Sequence, residues 1–125
     1  MSTRATVHFQ QGGETQAIVY RHSDGYPEGL GKDLKTFFSA VKKQTSDTRF
    51  NDPAYLAAKF VVWQASQYAR KYHYETQTYT PAQPLDFLGV GVVLEDPGDI
   101  EYRYLVSCDG RYGDNRAPSV KIEKL

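Results

Sequence analysis

The chain has 125 residues with 15 basic and 15 acidic side chains, so its formal net charge is zero. This balance argues against strong nonspecific binding to nucleic acid, which depends on clustered Lys and Arg, and equally against an acidic mimic of DNA. The length predicts one domain over residues 1–125, which is large enough to fold without a metal or a disulfide.

The cysteine content indicates a reducing compartment. Cys108 is the only cysteine, so no intramolecular disulfide can form. The first residues lack the apolar run of a signal peptide, and no stretch reaches the ~20 apolar residues of a membrane span. We therefore expect a cytoplasmic protein without a membrane partner.

The first third of the chain predicts a β-hairpin, a loop and a helix. Residues 5–10 alternate apolar and polar side chains, and residues 15–22 form a second strand after a Gly-Gly turn. Residues 23–31 contain three Gly and one Pro, which is typical of a loop. A helix follows from residue 31 or 32 to near Thr45. Its apolar stripe consists of Leu34, Phe37, Phe38 and Val41.

The remainder predicts a second helix and several strands. Asn51 or Asp52 caps a helix that runs from residue 54 to about Tyr72, with Pro53 in its first turn. The strands that follow are expected at residues 89–94, 100–108 and 119–125. Residues 74–80 alternate Tyr, Thr and Gln and could add a short edge strand, which is not counted among the main elements. A tight turn over residues 95–99 predicts that the strands on either side of it pair as a hairpin.

These elements follow the order β-β-α-α-β-β-β. Strands joined mostly by hairpins, with the helices grouped together, are typical of the α+β class. The predicted architecture is an antiparallel β-sheet with two helices packed on one face.

Residues 20–31 are the best candidate for a functional site, because they lie where a strand gives way to a helix. Arg21 can hold a carboxylate or phosphate through two parallel hydrogen bonds. His22 can transfer a proton near neutral pH. Asp24 can orient His22 or bind a cation, and Tyr26 offers an aromatic contact. These four side chains are the candidate ligand- or partner-binding residues.

The same loop also has an architectural interpretation. Asp24-Gly25 is ordinary turn chemistry, since Asp bonds its own backbone and Gly adopts positive φ. Pro27 restricts the chain, and Gly29 and Gly31 permit close packing against the helix.

The spacing Tyr20-x-His22-x-Asp24-Gly25-Tyr26-Pro27, followed by Gly29 and Gly31, resembles a signature of small uncharacterised proteins from bacteria, phages and prophages. Those relatives often have Trp where this chain has Ser23. The resemblance covers about a dozen residues and implies a bacterial or mobile-element origin. It implies no activity, so no catalytic role transfers with it.

Other chemistries have little support in the sequence. The three histidines are not paired with Cys or His at metal-ligand spacing, so we expect no metal site. Phosphate-loop and hydrolase motifs are absent, and we expect no cofactor. Cys108 ends a predicted strand, where a buried and inert thiol is favoured over a nucleophile.

Two further polar segments are candidate binding surfaces. Residues 111–116 contain two Arg and a Tyr that could contact a phosphate or a protein, but a solvated hairpin loop is the favoured interpretation. Residues 70–74 with Tyr79 combine cations and aromatic rings, as single-stranded nucleic-acid binders do. Positive charge at a helix C-terminus is the simpler interpretation of that segment.

The leading hypothesis is a binding protein rather than an enzyme, and it engages a host protein or a small anionic ligand through loop 21–31. The first alternative is a small hydrolase or phosphodiesterase-like enzyme that uses His22, Asp24 and Arg21. The second is a single-stranded nucleic-acid binder, which the charge balance disfavours. The ten tyrosines are compatible with a homodimer.

Overall fold

The computed structural model describes residues 2–87, 89–113 and 115–125 and shows an α+β fold. Seven strands and two α-helices are formed in the described chain. In chain order they are β1 (Ala5–Gln11), β2 (Glu14–Arg21), α1 (Lys32–Gln44), α2 (Pro53–Tyr68), β3 (Arg70–His73), β4 (Thr78–Pro81), β5 (Val90–Val93), β6 (Tyr102–Ser107) and β7 (Ser119–Lys124). The predicted fold class and the order of the main elements are confirmed.

The main sheet has five strands in the order β5-β2-β1-β6-β7. β1 and β2 form the predicted hairpin, with Val7 opposite Val19. β6 lies on the other side of β1 and runs parallel to it, with Tyr104 opposite Val7. The sheet is therefore mixed, which corrects the expectation of a wholly antiparallel arrangement.

The predicted hairpin between residues 89–94 and 100–108 is wrong. β5 pairs with β2, and β6 pairs with β1, so two strands separate them in the sheet. The connection between β5 and β6 crosses the sheet, where the Asp96 carboxylate accepts hydrogen bonds from Thr6 at 2.7 Å and Arg103 at 2.6 Å. These long-range contacts outweigh the local turn chemistry of residues 95–99.

The helices pack on the face of the sheet opposite to the one crossed by the connection between β5 and β6. Phe9 of β1 packs on Phe60 of α2, and Phe60 packs on Phe37 of α1 with ring centroids 5.0 Å apart. All four residues of the predicted α1 stripe are buried. The Asp52 side chain accepts a hydrogen bond from the Tyr55 backbone N–H, as expected of an N-cap.

α2 ends at Tyr68, four residues before the predicted end. Ala69 adopts an extended backbone, and β3 then pairs with β4 in a separate two-stranded sheet. Tyr72 lies opposite Tyr79 with ring centroids 4.9 Å apart, a cross-strand aromatic pair that favours the hairpin over further helix. Neither helix in the described chain is long and apolar enough to cross a membrane.

Candidate functional site

Loop 21–31 is held against the N-terminal segment of the chain at Gly25. The Gly25 N–H donates to the Thr3 carbonyl at 2.9 Å, and the Tyr104 hydroxyl donates to the Gly25 carbonyl at 2.7 Å. A Cβ atom at Gly25 would lie 2.7 Å from the Cβ of Ala5, which is closer than such atoms approach. The glycine is therefore required by packing.

The turn between Asp24 and Leu30 depends on the backbone conformation of Asp24. Asp24 adopts a φ of 55°, and its carbonyl accepts a hydrogen bond from the Leu30 N–H at 2.9 Å. A Cβ at Gly29 would overlap that same carbonyl oxygen. Residues Pro27–Gly31 form a single π-helical turn that leads into α1. Much of the residue pattern in this loop thus serves the fold.

Arg21 is buried at the base of the loop, with only 7% of its surface exposed. Its Nη1 atom lies 2.9 Å from Oδ2 of Asp33 and donates to the Gln64 side-chain oxygen at 3.1 Å. Its Nε donates to the Ser23 carbonyl at 3.0 Å. Nε and Nη1 of the guanidinium are therefore occupied by internal partners, so Arg21 does not offer two free nitrogens for a bidentate clamp on an anion.

Asp33 links this arginine to α2. The Tyr68 hydroxyl donates to Oδ1 of Asp33 at 2.7 Å, and the Arg21 guanidinium lies 5.5 Å from the centre of the Tyr68 ring. Burial raises the pKa of Tyr68, and the hydrogen bond to Asp33 raises it further. Tyr68 therefore stays protonated and serves as a hydrogen-bond donor.

His22 is exposed and is not brought together with Arg21 and Asp24. Its Nδ1 lies 2.9 Å from the Tyr20 hydroxyl, and its backbone N–H donates to the Gly89 carbonyl at 2.8 Å. His22 lies one residue beyond the end of β2, and its exposed side chain lies against Tyr20, whereas the side chain of Arg21 is buried. Among the described residues, no hydrogen bond joins His22 to Asp24.

Asp24 and Tyr26 do lie together at the surface. The Tyr26 hydroxyl donates to Oδ1 of Asp24 at 3.3 Å. The negative charge of Asp24 is the main reason that the pKa of Tyr26 is raised. The pair offers a carboxylate beside an aromatic ring, both accessible to a binding partner.

A polar cleft of about 420 Å³ opens beside the loop. Three of the four sequence-predicted residues, Arg21, Asp24 and Tyr26, line it, whereas His22 does not. The other ionisable and aromatic lining residues are Glu28, Asp33, Tyr68, Arg70, Tyr79, Asp86 and Phe87. Four carboxylates and two guanidinium groups thus face this cleft.

Sequence reasoning did not identify Asp33 or Tyr68 as members of the site. Asp33 lies in the first turn of α1 and Tyr68 at the end of α2, separated by 35 positions. A carboxylate in a first helical turn is explained by the helix dipole alone, so its position carried no separate signal of a site.

The tyrosines of β3, β4 and the turn between them form an exposed aromatic cluster. The Tyr72 ring packs against Tyr74 and Tyr79, with centroids 4.8 and 4.9 Å apart. The Arg70 guanidinium lies 5.3 Å from the centre of the Tyr79 ring. Tyr74 and Tyr79 are largely exposed, so rings and a cation are available for contact.

Cys108 lies far from this cleft, at the opposite end of the sheet. Its backbone N–H bonds to the Gln10 carbonyl, whereas Arg21 lies opposite Ala5 at the other end of β1. Burial, with smaller effects from Asp109 and Asp52, raises the pKa of Cys108 to about 12. The predicted buried thiol is confirmed, and its high pKa opposes a nucleophilic role.

The second predicted polar loop, residues 111–116, is exposed at each of its described positions. Arg111 and Tyr112 are exposed, and Asp114 lies outside the described residues. Within residues 2–87, 89–113 and 115–125, no three His, Cys, Asp or Glu side chains are grouped as metal ligands would be.

Comparisons with protein-family models, with curated proteins and with solved structures find no match to this chain.

Proposed function

We propose that this protein is a non-enzymatic binding protein that engages a partner protein through the cleft beside loop 21–31. The observation that carries the proposal is that Asp24, Tyr26 and Glu28 are exposed along a cleft of about 420 Å³. Below them, the buried contacts of Arg21 hold the loop in place. A rigid base with exposed polar and aromatic side chains suits recognition of a partner.

The charge of the cleft favours a basic group of the partner over a small anion. Arg21 and Asp33 neutralise each other, which leaves Asp24, Glu28 and Asp86 against Arg70. An anion would face a net negative lining, whereas a Lys or Arg side chain would find carboxylates and the Tyr26 ring. The expectation of an anionic ligand depended on a free Arg21, and its ion pair removes that support.

The positions of the polar side chains support binding rather than catalysis. An acid–base mechanism would need His22 within hydrogen-bond reach of the group that orients it, and His22 contacts Tyr20 instead. Arg21 is also buried, whereas His22 is exposed just beyond the end of β2. The hydrolase alternative therefore has no geometry in its favour.

The nucleic-acid alternative has one favourable feature, the exposed tyrosines beside Arg70. Stacked bases can bind such rings, and a nearby cation can hold the backbone. Asp24, Glu28 and Asp86 lie in the same cleft and would repel phosphates. The protein-binding proposal therefore accounts for more of the residues that line the cleft.

The resemblance of residues 20–31 to bacterial and phage proteins completes the proposal. A protein of bacterial or phage origin that acts in the cytoplasm would meet host proteins there. We therefore place the partner among proteins of a bacterial cell.

A quantitative pull-down from bacterial lysate tests this proposal with a double variant, Asp24→Asn/Glu28→Gln. Asn tolerates the positive φ at position 24, so the change removes two charges while preserving the turn. Glu14→Gln/Glu75→Gln is the matched control, because it removes two exposed carboxylates outside the cleft. Circular dichroism verifies that both variants are folded.

We expect one or more proteins to be captured by the wild type and the control and lost with the cleft variant. Equal capture by all three proteins would contradict the proposal. Binding of a single-stranded oligonucleotide at low salt, lost on Arg70→Gln, would instead support the nucleic-acid alternative.

A further inference from the structure

At the base of the polar cleft, a carboxylate bonded by a tyrosine holds an arginine. Oδ1 of Asp33 accepts a hydrogen bond from the Tyr68 hydroxyl at 2.7 Å, and Oδ2 lies 2.9 Å from the Nη1 atom of Arg21. The same guanidinium lies 5.5 Å from the centre of the Tyr68 ring. One carboxylate oxygen and one ring face thus bind the arginine together.

A second arginine is held by the same two kinds of group nearer the surface. The Arg49 guanidinium lies 4.4 Å from the centre of the Tyr55 ring, and its Nη1 atom lies 3.4 Å from Oδ2 of Asp52. The exposed fraction of the Arg49 side chain is 36%. A carboxylate beside a tyrosine ring therefore binds a guanidinium in this protein at a solvent-accessible position as well as at a buried one.

Asp24 and Tyr26 form a third pair of this kind, and it holds no arginine. Oδ1 of Asp24 accepts a hydrogen bond from the Tyr26 hydroxyl at 3.3 Å. In the described chain, Oδ2 of Asp24 has neither a hydrogen-bond partner nor an ion-pair partner. Both side chains are exposed and line the polar cleft. The open oxygen corresponds to the one that binds Arg21 in the buried pair.

The charges around this pair favour a cation. The negative charge of Asp24, and less strongly that of Glu28, raises the pKa of Tyr26, so both carboxylates act on the same hydroxyl. Arg21 has the smallest effect on that pKa and has its own counter-ion in Asp33. A cation that approaches Oδ2 of Asp24 therefore meets a net negative charge.

We infer that Asp24 and Tyr26 bind an arginine side chain of the partner protein, with the guanidinium on Oδ2 of Asp24 and over the Tyr26 ring. This inference rests on the proposed function and names the group that the partner inserts into the cleft. The cleft volume of about 420 Å³ lies near the lower end of the range for ligand pockets, about 300–1,000 Å³, which is appropriate for a side chain.

Arginine is favoured over lysine by the contacts that this chain itself makes. The cations over tyrosine rings in the described chain are all arginines, namely Arg21, Arg49 and Arg70. A planar guanidinium can donate to a carboxylate while its face lies on a ring, whereas an ammonium group acts as a compact, strongly hydrated point charge.

NMR titration tests the inference with two probes, N-acetyl-arginine methylamide and N-acetyl-lysine methylamide, which carry the same charge. The backbone amide signals of Gly25, Tyr26 and Gly29 report binding beside the pair. At low salt, the Kd of the arginine probe should be at least about threefold lower than that of the lysine probe. Equal Kd values, or no shift of these signals with either probe, would overturn the inference.

Three variants locate the arginine probe on the protein. Asp24→Asn removes the charge and preserves the turn, and it should raise the Kd at least about fivefold. Tyr26→Leu removes the ring and should raise the Kd about threefold. Asp86→Asn removes an equal charge from the same cleft away from this pair and should raise the Kd by about twofold or less. Equal effects of Asp24→Asn and Asp86→Asn would assign binding to the overall charge of the cleft and overturn the inference.

The pull-down separates a failure of this inference from a failure of the proposed function. The arginine probe should release captured proteins, and the lysine probe at equal concentration should release less. Proteins that are lost with Asp24→Asn/Glu28→Gln but not released by the arginine probe would overturn the inference and leave the proposed function intact. Binding of the arginine probe to the pair without any captured protein would contradict the proposed function and leave the guanidinium site in place.

Discussion

The Nη1 atom of Arg21 lies 2.9 Å from Oδ2 of Asp33 and thereby joins the end of β2 to the first turn of α1. Both side chains are shielded from solvent, with side-chain exposures of 9% and 15%. Removing one member of such a pair leaves a charge buried without its counter-ion, which costs far more than breaking an exposed pair.

We therefore predict that Asp33→Ala lowers the free energy of unfolding by about 3 kcal/mol, measured by urea denaturation. Asp47→Ala is the control, because Asp47 pairs with Arg49 at the surface, where the loss should stay below about 1 kcal/mol. Adding Arg21→Met to Asp33→Ala should cost less than the sum of the two single changes. Equal losses for Asp33→Ala and Asp47→Ala would contradict this account of the ion pair.

The contact between Gly25 and Ala5 gives a second stability prediction. A methyl group at position 25 would lie 2.7 Å from the Ala5 Cβ and 2.9 Å from the Thr3 carbonyl oxygen, so the loop must move. Gly25→Ala should lower the free energy of unfolding by about 2 kcal/mol. Gly98→Ala, where nothing lies within 4 Å of the added atom, should change it by less than about 0.5 kcal/mol. Similar values for both variants would show that the contact is relieved at little cost.

Asp96 makes stability depend on pH in the acid range. Burial alone would raise the pKa of Asp96, but hydrogen bonds from Thr6, His8 and Arg103 lower it below its ordinary value of 3.8. The unfolded chain therefore takes up this proton at a higher pH than the folded protein does. The contribution of Asp96 is present above about pH 5 and is lost as the pH falls through the folded-state pKa.

We predict that Asp96→Asn reduces the loss of unfolding free energy between pH 5 and pH 3, because Asn cannot take up that proton. Urea denaturation of the wild type and the variant at both values measures the difference. Glu14→Gln removes an exposed carboxylate of β2 and should leave the acid-range loss close to that of the wild type. If Asp96→Asn loses as much stability as the wild type, another group causes the acid sensitivity.

Local patterns predicted the helices well, because their determinants lie close together in sequence. The α1 stripe repeats with helical period, and Asp52 followed by Pro53 marks the start of α2. The partners of β5 and β6 could not be predicted in this way. Thr6 and Asp96, whose hydrogen bond anchors the connection between those strands, are 90 positions apart.

The candidate site shows the same division. Gly and Pro spacing located loop 21–31, and the structure brings Arg21, Asp24 and Tyr26 to one cleft. The spacing could not reveal that His22 would diverge from them or that Asp33 would occupy Arg21. The position of His22 depends on the course of the chain beyond β2. The ion pair of Arg21 depends on the packing of α1 beside the end of β2.

The buried thiol of Cys108 allows a prediction about global opening. With a pKa of about 12, roughly one thiol in ten thousand is ionised at pH 8, compared with about a quarter for an ordinary exposed cysteine. The sulfur is also inaccessible, since Cys108 has no exposed surface. Reaction of the native protein with a disulfide reagent should be at least about a thousandfold slower than reaction in urea, and absorbance of the released thiolate measures both rates.

If the thiol reacts only after global unfolding, its reaction rate must rise in proportion to the fraction of unfolded protein. A loss of stability increases that fraction. Gly25→Ala, with about 2 kcal/mol less stability, should then react about 30-fold faster than the wild type in native buffer. Gly98→Ala should react at the wild-type rate. An unchanged rate for Gly25→Ala would mean that Cys108 is reached through a local opening at the far end of the sheet, where its N–H bonds to the Gln10 carbonyl, with loop 21–31 still folded.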